Sequence, residues 1–368
     1  MMGFLRAPMP GARGSVVLFV DPAAAHAYSD RTLYGQALGA PEAAVVRVAE
    51  GLAQRGHRVV VAQSARHWPE RSAGGVQYVP FRYKEGAPRV GADAVVVVRQ
   101  HKVLKRLRRA HPAARFLLWL HESPGRAARD LGRAAGGAGA AVVTVSDHHR
   151  AAVRSFVEAS GRGPLTSPLA RLHSPVDDAL APDRTHVDPD KLVAAALPRE
   201  AMGPVLVAFA HVRRQRPTAR LFVTASGGDG RERAPLPEGV VALGALPHRA
   251  VLRHLREAFC AFYPEACADD ASGLRFAEAN AVGTPALAHS AGPAPEALGE
   301  RIADRGQLLD ARDPEAAAHR LARWWESGRP AVSVQPPFRL SRVLDGWERA
   351  LGVAARGPRR AAAAEVAA

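Results

Sequence analysis

Short apolar runs alternate with longer amphipathic stretches along most of the chain. The first apolar run covers residues 16–20, helical apolar spacing follows over residues 41–55, and a second apolar run covers residues 58–62. Runs of about five β-branched or other apolar residues are typical of buried parallel strands, and a period of about 3.6 residues is typical of a helix that packs on a sheet. The pattern therefore predicts a strand, a helix and a parallel strand.

The same alternation continues in two series. In the first series, further strands are predicted at residues 94–98, 115–120 and 141–145. In the second series, strands are predicted at 191–196, 219–224, 240–243, 260–263 and 284–288, with helices at 205–214, 250–258 and from about Gly273. Alternating strands and helices of this kind indicate a doubly wound α/β sheet in each half of the chain.

Residues 174–190 separate the two series. This segment is rich in proline and aspartate and has no apolar period, as expected of an interdomain connection. We predict four parts: a first Rossmann-like domain at 14–181, a second at 188–334, a helix within 335–353 that packs back on the first domain, and a disordered tail at 354–368.

Net charge changes this picture little. The 368 residues carry a formal charge of +15, which ordinarily suggests nucleic acid or an anionic membrane as a partner. However, 46 of the 50 basic residues are arginine, a residue with GC-rich codons, so the excess is attributed to the base composition of the genome. The sequence contains no nucleic-acid recognition motif, and no nucleic-acid partner is expected.

One basic segment, residues 99–109, is a separate candidate. Arg99, Lys102, Arg106 and Arg109 recur there at helical spacing. The ordinary interpretation of such a helix is a solvated surface, and the alternative is peripheral contact with an anionic membrane.

Cysteine usage and the N-terminal sequence indicate a cytoplasmic protein. Cys260 and Cys267 are the only cysteines, too few for a disulfide framework, and Cys260 is expected in a core strand. The first 13 residues lack the apolar core of a signal peptide. We expect a soluble bacterial protein with no metal site and no cofactor.

The richest candidate chemistry follows the strand at 260–263. Ser272 is predicted to cap a helix that starts at Gly273, and the carboxylates of Asp270 and Glu278 lie on either side of that helix start. The first N–H groups of a helix have no intrahelical acceptor and form an anion-binding site. Ionised carboxylates accept strong hydrogen bonds from hydroxyl groups. The arrangement predicts a phosphate site flanked by groups that bind sugar hydroxyls.

These residues belong to a longer motif, DASGLRFAEANAVGTPALA, which is followed by AGPAPEAL. Both resemble the donor-binding region of retaining glycosyltransferases of family four, in which an acid and a glutamate are separated by seven residues. Further segments resemble that family in the same order, including LYGQALGAPEAAVVRVAEGL, WLHES and RLSRVLDGWERAL. The resemblance spans about residues 15–352 and implies the two-domain GT-B fold.

By this resemblance, the chain transfers a sugar from a nucleotide-diphosphate donor to a small-molecule or cell-envelope acceptor, with retention and without a metal. Each expected role follows from the family pattern: Asp270 contacts sugar hydroxyls, Ser272, Gly273 and Leu274 contact the donor at the helix start, Glu278 holds the ribose, His121 faces the sugar, and Gly39 and Ala40 approach the diphosphate. Asp270, Glu278 and His121 are the expected catalytic residues.

The chain departs from the family pattern at three places. Asp270 stands where glutamate is usual, Ala40 stands in a usual Gly-Gly pair, and Glu200 and Ala201 stand where Lys-Gly usually grips the diphosphate. Arg199 is the expected substitute, because guanidinium binds phosphate through two parallel hydrogen bonds. Two alternatives therefore stay open: a catalytically degenerate GT-B homologue that binds a partner, and another GT-B reaction such as sugar-nucleotide epimerisation.

Overall fold

The computed structural model describes residues 14–83, 90–160, 165–197, 201–225, 236–264, 270–301, 304, 306–310, 313 and 315–353. The predicted tail at 354–368, Arg199, Glu200 and Cys267 lie outside these residues. No helix in the described ranges is both long enough and apolar enough to cross a membrane.

The first sheet has eight strands in the order β3-β4-β2-β1-β5-β6-β7-β8. These strands are β1 Val16–Asp21, β2 Arg58–Gln63, β3 Glu70–Arg71, β4 Gln77–Pro80, β5 Ala94–Val98, β6 Arg115–Trp119, β7 Ala140–Thr144 and β8 Leu169–Arg171. All neighbours pair in parallel except β3 with β4. All five residues of β5 are buried, as expected for a strand covered on both faces.

Five helices accompany this sheet in the described part of the chain. They are α1 Asp30–Gly35, α2 Ala40–Gln54, α3 Leu104–Ala110, α4 Leu131–Ala138 and α5 Asp147–Ala159. Gly39 caps α2, and Pro41 lies in its first turn, where a missing N–H costs nothing.

The second sheet has six parallel strands in the order β11-β10-β9-β12-β13-β14. Its strands are β9 Asp188–Leu197, β10 Arg220–Ala225, β11 Val240–Gly244, β12 Ala258–Tyr263, β13 Ala286–His289 and β14 Leu308–Leu309. Its helices are α6 Met202–Gln215, α7 His248–Glu257, α8 Leu274–Ala281, α9 Ala294–Leu298 and α10 Ala316–Ser327. Cys260 is fully buried in β12, which confirms its predicted place in a core strand.

The last helix, α11 Leu340–Leu351, returns to the first sheet and packs on α2. Its Leu344 lies over Gly51, where an added Cβ would come within 2.5 Å of the leucine side chain. The Trp347 ring lies 4.6 Å from that of Trp119 in β6. The helix begins at Leu340, and Phe338 lies in a preceding 3₁₀ turn, Pro336–Phe338.

The two segments that connect the sheets are hydrogen-bonded to each other. The N–H of Val176 donates to the carbonyl of Phe338 at 2.8 Å, and the N–H of Leu340 donates to the carbonyl of Val176 at 2.8 Å. The Arg339 guanidinium also donates to the carbonyl of Leu180 at 2.8 Å. These bonds hold the two connecting segments against each other at one place between the two α/β units.

Candidate functional site

A cleft of about 530 Å³ lies between the two α/β units. From the first unit it is lined by the start of α2 and by the residues after β6; from the second it is lined by β9, α7 and the start of α8. Ligands of open α/β sheets bind beyond the carboxyl ends of the strands, and this cleft has that location. Of the predicted site residues, the following line it: Gly39, Ala40, His121, Asp270, Ser272, Leu274 and Glu278.

Asp270 closes the start of α8. Its Oδ1 accepts the N–H of Ser272 at 3.0 Å and the N–H of Gly273 at 2.9 Å. Its Oδ2 accepts the Nε–H of Arg275 at 3.0 Å. The expectation of unpaired N–H groups at this helix start is therefore wrong for Gly273, because a carboxylate of the chain itself takes the place predicted for a phosphate.

The predicted cap at Ser272 is also corrected. Gly273 is the capping residue, and the Oγ of Ser272 accepts the N–H of Leu274 at 3.2 Å. Gly273 has a φ of 66°, a conformation that glycine adopts without strain. A Cβ at this position would come within 3.0 Å of the Ala297 Cβ and 3.2 Å of Pro293, so the Gly273 α-carbon packs against α9.

Glu278 is buried in α8 and contacts the guanidinium of Arg47 and the imidazole of His248. Its Oε1 lies 3.2 Å from Nη2 of Arg47 and 2.9 Å from Nε2 of His248. Burial alone would favour the protonated acid, but the charges and hydrogen bonds of His248 and Arg47 outweigh it and lower the pKa of Glu278 to about 2. Glu278 is therefore an ionised carboxylate at the cleft wall.

Sequence reasoning missed both partners of Glu278. Arg47 is only 7% exposed and comes from α2 of the first unit, whereas His248 begins α7 of the second. One signal was available: Arg47 lies between Val46 and Val48 in a helix that is apolar on almost every side. A buried arginine requires a nearby acceptor, but the sequence does not show which acceptor.

His121 follows β6 and lies at the edge of the cleft. Its ring is 4.4 Å from that of Trp119. Burial, together with the charges of Arg99 and His149, lowers the pKa of His121 well below its usual value, so the ring is neutral near pH 7. Among the described residues, its Nε2 has no hydrogen-bond partner. The structure thus presents a neutral imidazole with an unused nitrogen.

The basic segment at 99–109 is not one continuous helix. Arg99 precedes the helical part, has a φ of 64°, and pairs with Asp21 at 2.6 Å and Glu42 at 2.8 Å. The charge of Arg99 is therefore paired with carboxylates of the first unit, and the predicted place of Arg99 on the basic helical face is wrong. Lys102, in a 3₁₀ turn, and Lys105, Arg106 and Arg109 in α3 are exposed. Membrane contact through these residues stays a prediction.

The turn AGPAPEAL provides a second polar contact between the units. The carboxylate of Glu296 accepts the N–H of Asp147 at 2.7 Å and pairs with Arg171 at 2.7 Å. Nearby, the Oγ of Ser146 donates to the carbonyl of Ala271 at 2.5 Å. These contacts hold the loop before α8 against the start of α5.

The described residues contain no group of three or more His, Cys, Asp or Glu that could hold a metal ion. Arg199 lies outside the described residues, so its predicted contact with the diphosphate stays a prediction. Ala201, which stands where the usual Lys-Gly pair has its glycine, is buried at the start of α6.

Several solved structures share this architecture. Anabaena Alr3699/HepE, solved in complex with UDP and glucose, is 14% identical with a TM-score of 0.62 over 92% of this chain and 99% of that chain. AviGT4, a glycosyltransferase involved in avilamycin A biosynthesis, is 16% identical with a TM-score of 0.57 over 92% and 97%. The pneumococcal O-GlcNAc transferase GtfA, in complex with UDP and GlcNAc, is 12% identical with a TM-score of 0.54 over 71% and 57%. This similarity confirms the predicted fold.

No curated protein sequence matches the chain. A family model does match within the second unit: residues 193–334 match "Glycosyl transferases group 1", and this segment contains Asp270 and the helix α8 with Glu278. The chain therefore has the GT-B fold, and residues 193–334 of its second α/β unit are similar to glycosyl transferases group 1.

Proposed function

We propose that this protein is a retaining, metal-independent glycosyltransferase that moves a sugar from a nucleotide-diphosphate donor to a small-molecule or cell-envelope acceptor. One observation carries the proposal: the ionised carboxylate of Glu278 and the start of α8 line the cleft between the two α/β units. Both belong to the segment that matches glycosyl transferases group 1. Two structures of similar fold were solved with UDP and a sugar, which supports a UDP-linked sugar as the donor.

In this proposal, the donor ribose binds at Glu278, and its diphosphate lies near the start of α8 and the Gly39–Ala40 turn. The N–H of Gly273 is bonded to Asp270. A phosphate oxygen would replace that carboxylate, which then turns to the sugar hydroxyls expected as its partners. The exchange substitutes one anion for another at the same positive helix end, so the helix start stays capped.

The chemistry follows from the charge that develops on the leaving group. When the glycosidic bond breaks, the diphosphate becomes more negative and the sugar carbon becomes cationic. Fixed N–H donors directed at the diphosphate stabilise that transition state, and removing one such donor typically costs about 3 kcal/mol. The neutral His121 adds no positive charge beside the developing oxocarbenium ion.

Thermal unfolding with UDP, GDP, ADP and TDP tests donor binding. A diphosphate present at about 100 times its Kd adds about 2.7 kcal/mol to the free energy of unfolding, equivalent to about 5–10 °C for domains of this size. We expect one of the four to produce such a shift. If none raises the melting temperature at millimolar concentration, the proposal fails.

A second candidate function is a binding protein that does not catalyse transfer. It is favoured by one observation: Asp270 and Glu278 are both already paired with groups of the chain itself. Release of nucleoside diphosphate from a panel of sugar nucleotides, with and without acceptor mixtures, separates the two. Transfer requires acceptor-dependent release, whereas a binding protein shows the thermal shift without release.

A further inference from the structure

The side chain of Arg47 crosses from the first unit to the second. It is 7% exposed, although it belongs to a helix of the first sheet, and its guanidinium contacts three separate parts of the molecule. Nη1 donates to the carbonyl of Pro175 in the interdomain connection at 3.2 Å. Nη2 lies 3.2 Å from Oε1 of Glu278 and 3.2 Å from Nε2 of His248.

These contacts restrict the Glu278 carboxylate in charge and in orientation. A carboxylate buried without a cation becomes protonated or costs several kcal/mol, so a buried counter-ion keeps it charged. The planar guanidinium also has donors in a fixed fork, which limits the positions of the group it binds. Both contacts to Glu278 are made with Oε1, which directs them to one side of the carboxylate.

We propose that Arg47 of the first unit, together with His248, is a positioning residue that orients Glu278 to accept the ribose hydroxyls of the donor nucleotide. This inference rests on the proposed function. It adds that nucleotide affinity depends on a side chain outside the unit that carries the matched glycosyl transferase domain. Arg47 acts through Glu278 in this account and does not itself contact the diphosphate.

The chain offers a matched control. Arg55 lies at the end of the same helix and pairs with Glu348 at 2.7 Å and Asp345 at 2.9 Å, at the contact with α11. It is not among the residues that line the cleft. Loss of either arginine removes a paired, largely buried cation on or at the end of α2, so a purely structural role for Arg47 would give the two variants the same binding behaviour.

The experiment measures Kd by calorimetry for the diphosphate that binds best among UDP, GDP, ADP and TDP, and by ligand-observed NMR for the corresponding nucleoside. We expect Arg47→Met to weaken diphosphate and nucleoside by the same factor, at least ten-fold, with partial recovery in Arg47→Lys. Arg55→Met should change neither Kd by more than two-fold, even where it lowers the melting temperature. Arg47→Met added to Glu278→Gln should weaken binding no further.

Three results would overturn the positioning role: weaker binding of the diphosphate but not of the nucleoside, additive losses in the double variant, or equal losses in the Arg47 and Arg55 variants. The first two would show that Arg47 binds the nucleotide directly. If Arg47→Met does not fold, Arg47→Lys carries the same comparison, because lysine keeps the charge but cannot reproduce the guanidinium fork. Failure of the unaltered chain to bind any diphosphate would instead overturn the proposed function.

Discussion

Helix α2 contributes to two clusters of the same composition. In the first cluster, Nη2 of Arg47 lies 3.2 Å from Oε1 of Glu278 and 3.2 Å from Nε2 of His248. The distance between Oε1 of Glu278 and Nε2 of His248 is 2.9 Å. At the other, Arg55 meets Glu348 at 2.7 Å, and His57, just beyond the helix, lies 3.1 Å from the same glutamate. Each cluster joins the first sheet to a later part of the chain.

The two clusters differ in what surrounds them. The Glu278 cluster lines a cleft of about 530 Å³, whereas Glu348 is 1% exposed and lies in the packed contact of α11 with α2. A buried ion pair is therefore not by itself a sign of function in this molecule. The cleft beside the first cluster distinguishes it, because a charged group binds a ligand only where the ligand can reach it.

The largest expected difference concerns nucleotide binding. Glu278→Ala should abolish the rise in melting temperature caused by nucleoside diphosphate, because it removes the acceptor proposed for the ribose. Glu348→Ala should keep that rise in full. A differential scanning measurement on both variants checks this, and a nucleotide response retained in Glu278→Ala would show that the two clusters do not differ in function.

The next effect is on stability. Removal of Glu348 leaves Arg55 and His57 without their buried acceptor, and breaking one side of a buried pair typically costs about 3–5 kcal/mol. Because Arg55 keeps its pair with Asp345, we expect Glu348→Ala to lower the free energy of unfolding by about 3 kcal/mol, measured with urea. Asp345→Ala is the control: its carboxylate is 37% exposed, and it should cost at most about 1 kcal/mol.

A pH dependence should follow from the cleft cluster. The folded pKa of Glu278 is about 2, below its ordinary value of 4.5, so its ionised form stabilises the fold fully above about pH 4.5. This contribution is lost as the pH falls toward 2. By the linkage between pKa and stability, the loss is about 3 kcal/mol.

Urea unfolding of the unaltered chain and of Glu278→Gln between pH 7 and pH 3 isolates that contribution. The difference in the free energy of unfolding between the two proteins, the gap, should stay nearly constant from pH 7 to about pH 4.5 and narrow below it, because only the unaltered chain has this carboxylate to protonate. A gap that stays constant down to pH 3 would show that His248 and Arg47 do not stabilise the ionised form.

The smallest effect is expected at Asp270, the carboxylate that precedes α8. Asp270→Ala removes the acceptor of two N–H groups at the helix start, and loss of such a cap typically costs about 1 kcal/mol. Ser272→Ala, which removes only the acceptor for Leu274, should cost less. Urea unfolding of both variants tests the order, and a larger loss in Ser272→Ala would contradict the cap described here.

Local patterns predicted most elements closely. Residues 94–98 form β5 with the predicted bounds, and the helix predicted at 41–55 is Ala40–Gln54. Such agreement is expected where the apolar period is long or the β-branched run is continuous, because burial then favours one type of element. The start of α8 was less well predicted: Ser272 has the side chain of a cap, but the close approach of α9 makes Gly273 the capping residue.

The sequence by itself determined the alternation of buried strands and amphipathic helices, and with it two α/β units, the loop that carries Asp270 and the helix that carries Glu278. Only the tertiary structure decided which charges meet: that Arg99 pairs with Asp21, that Asp270 closes its own helix, and that Arg47 reaches Glu278 across the cleft. The physical reason is distance along the chain. Hydrophobic periodicity acts over one or two turns, whereas ion pairs depend on where the packing of whole sheets places their partners.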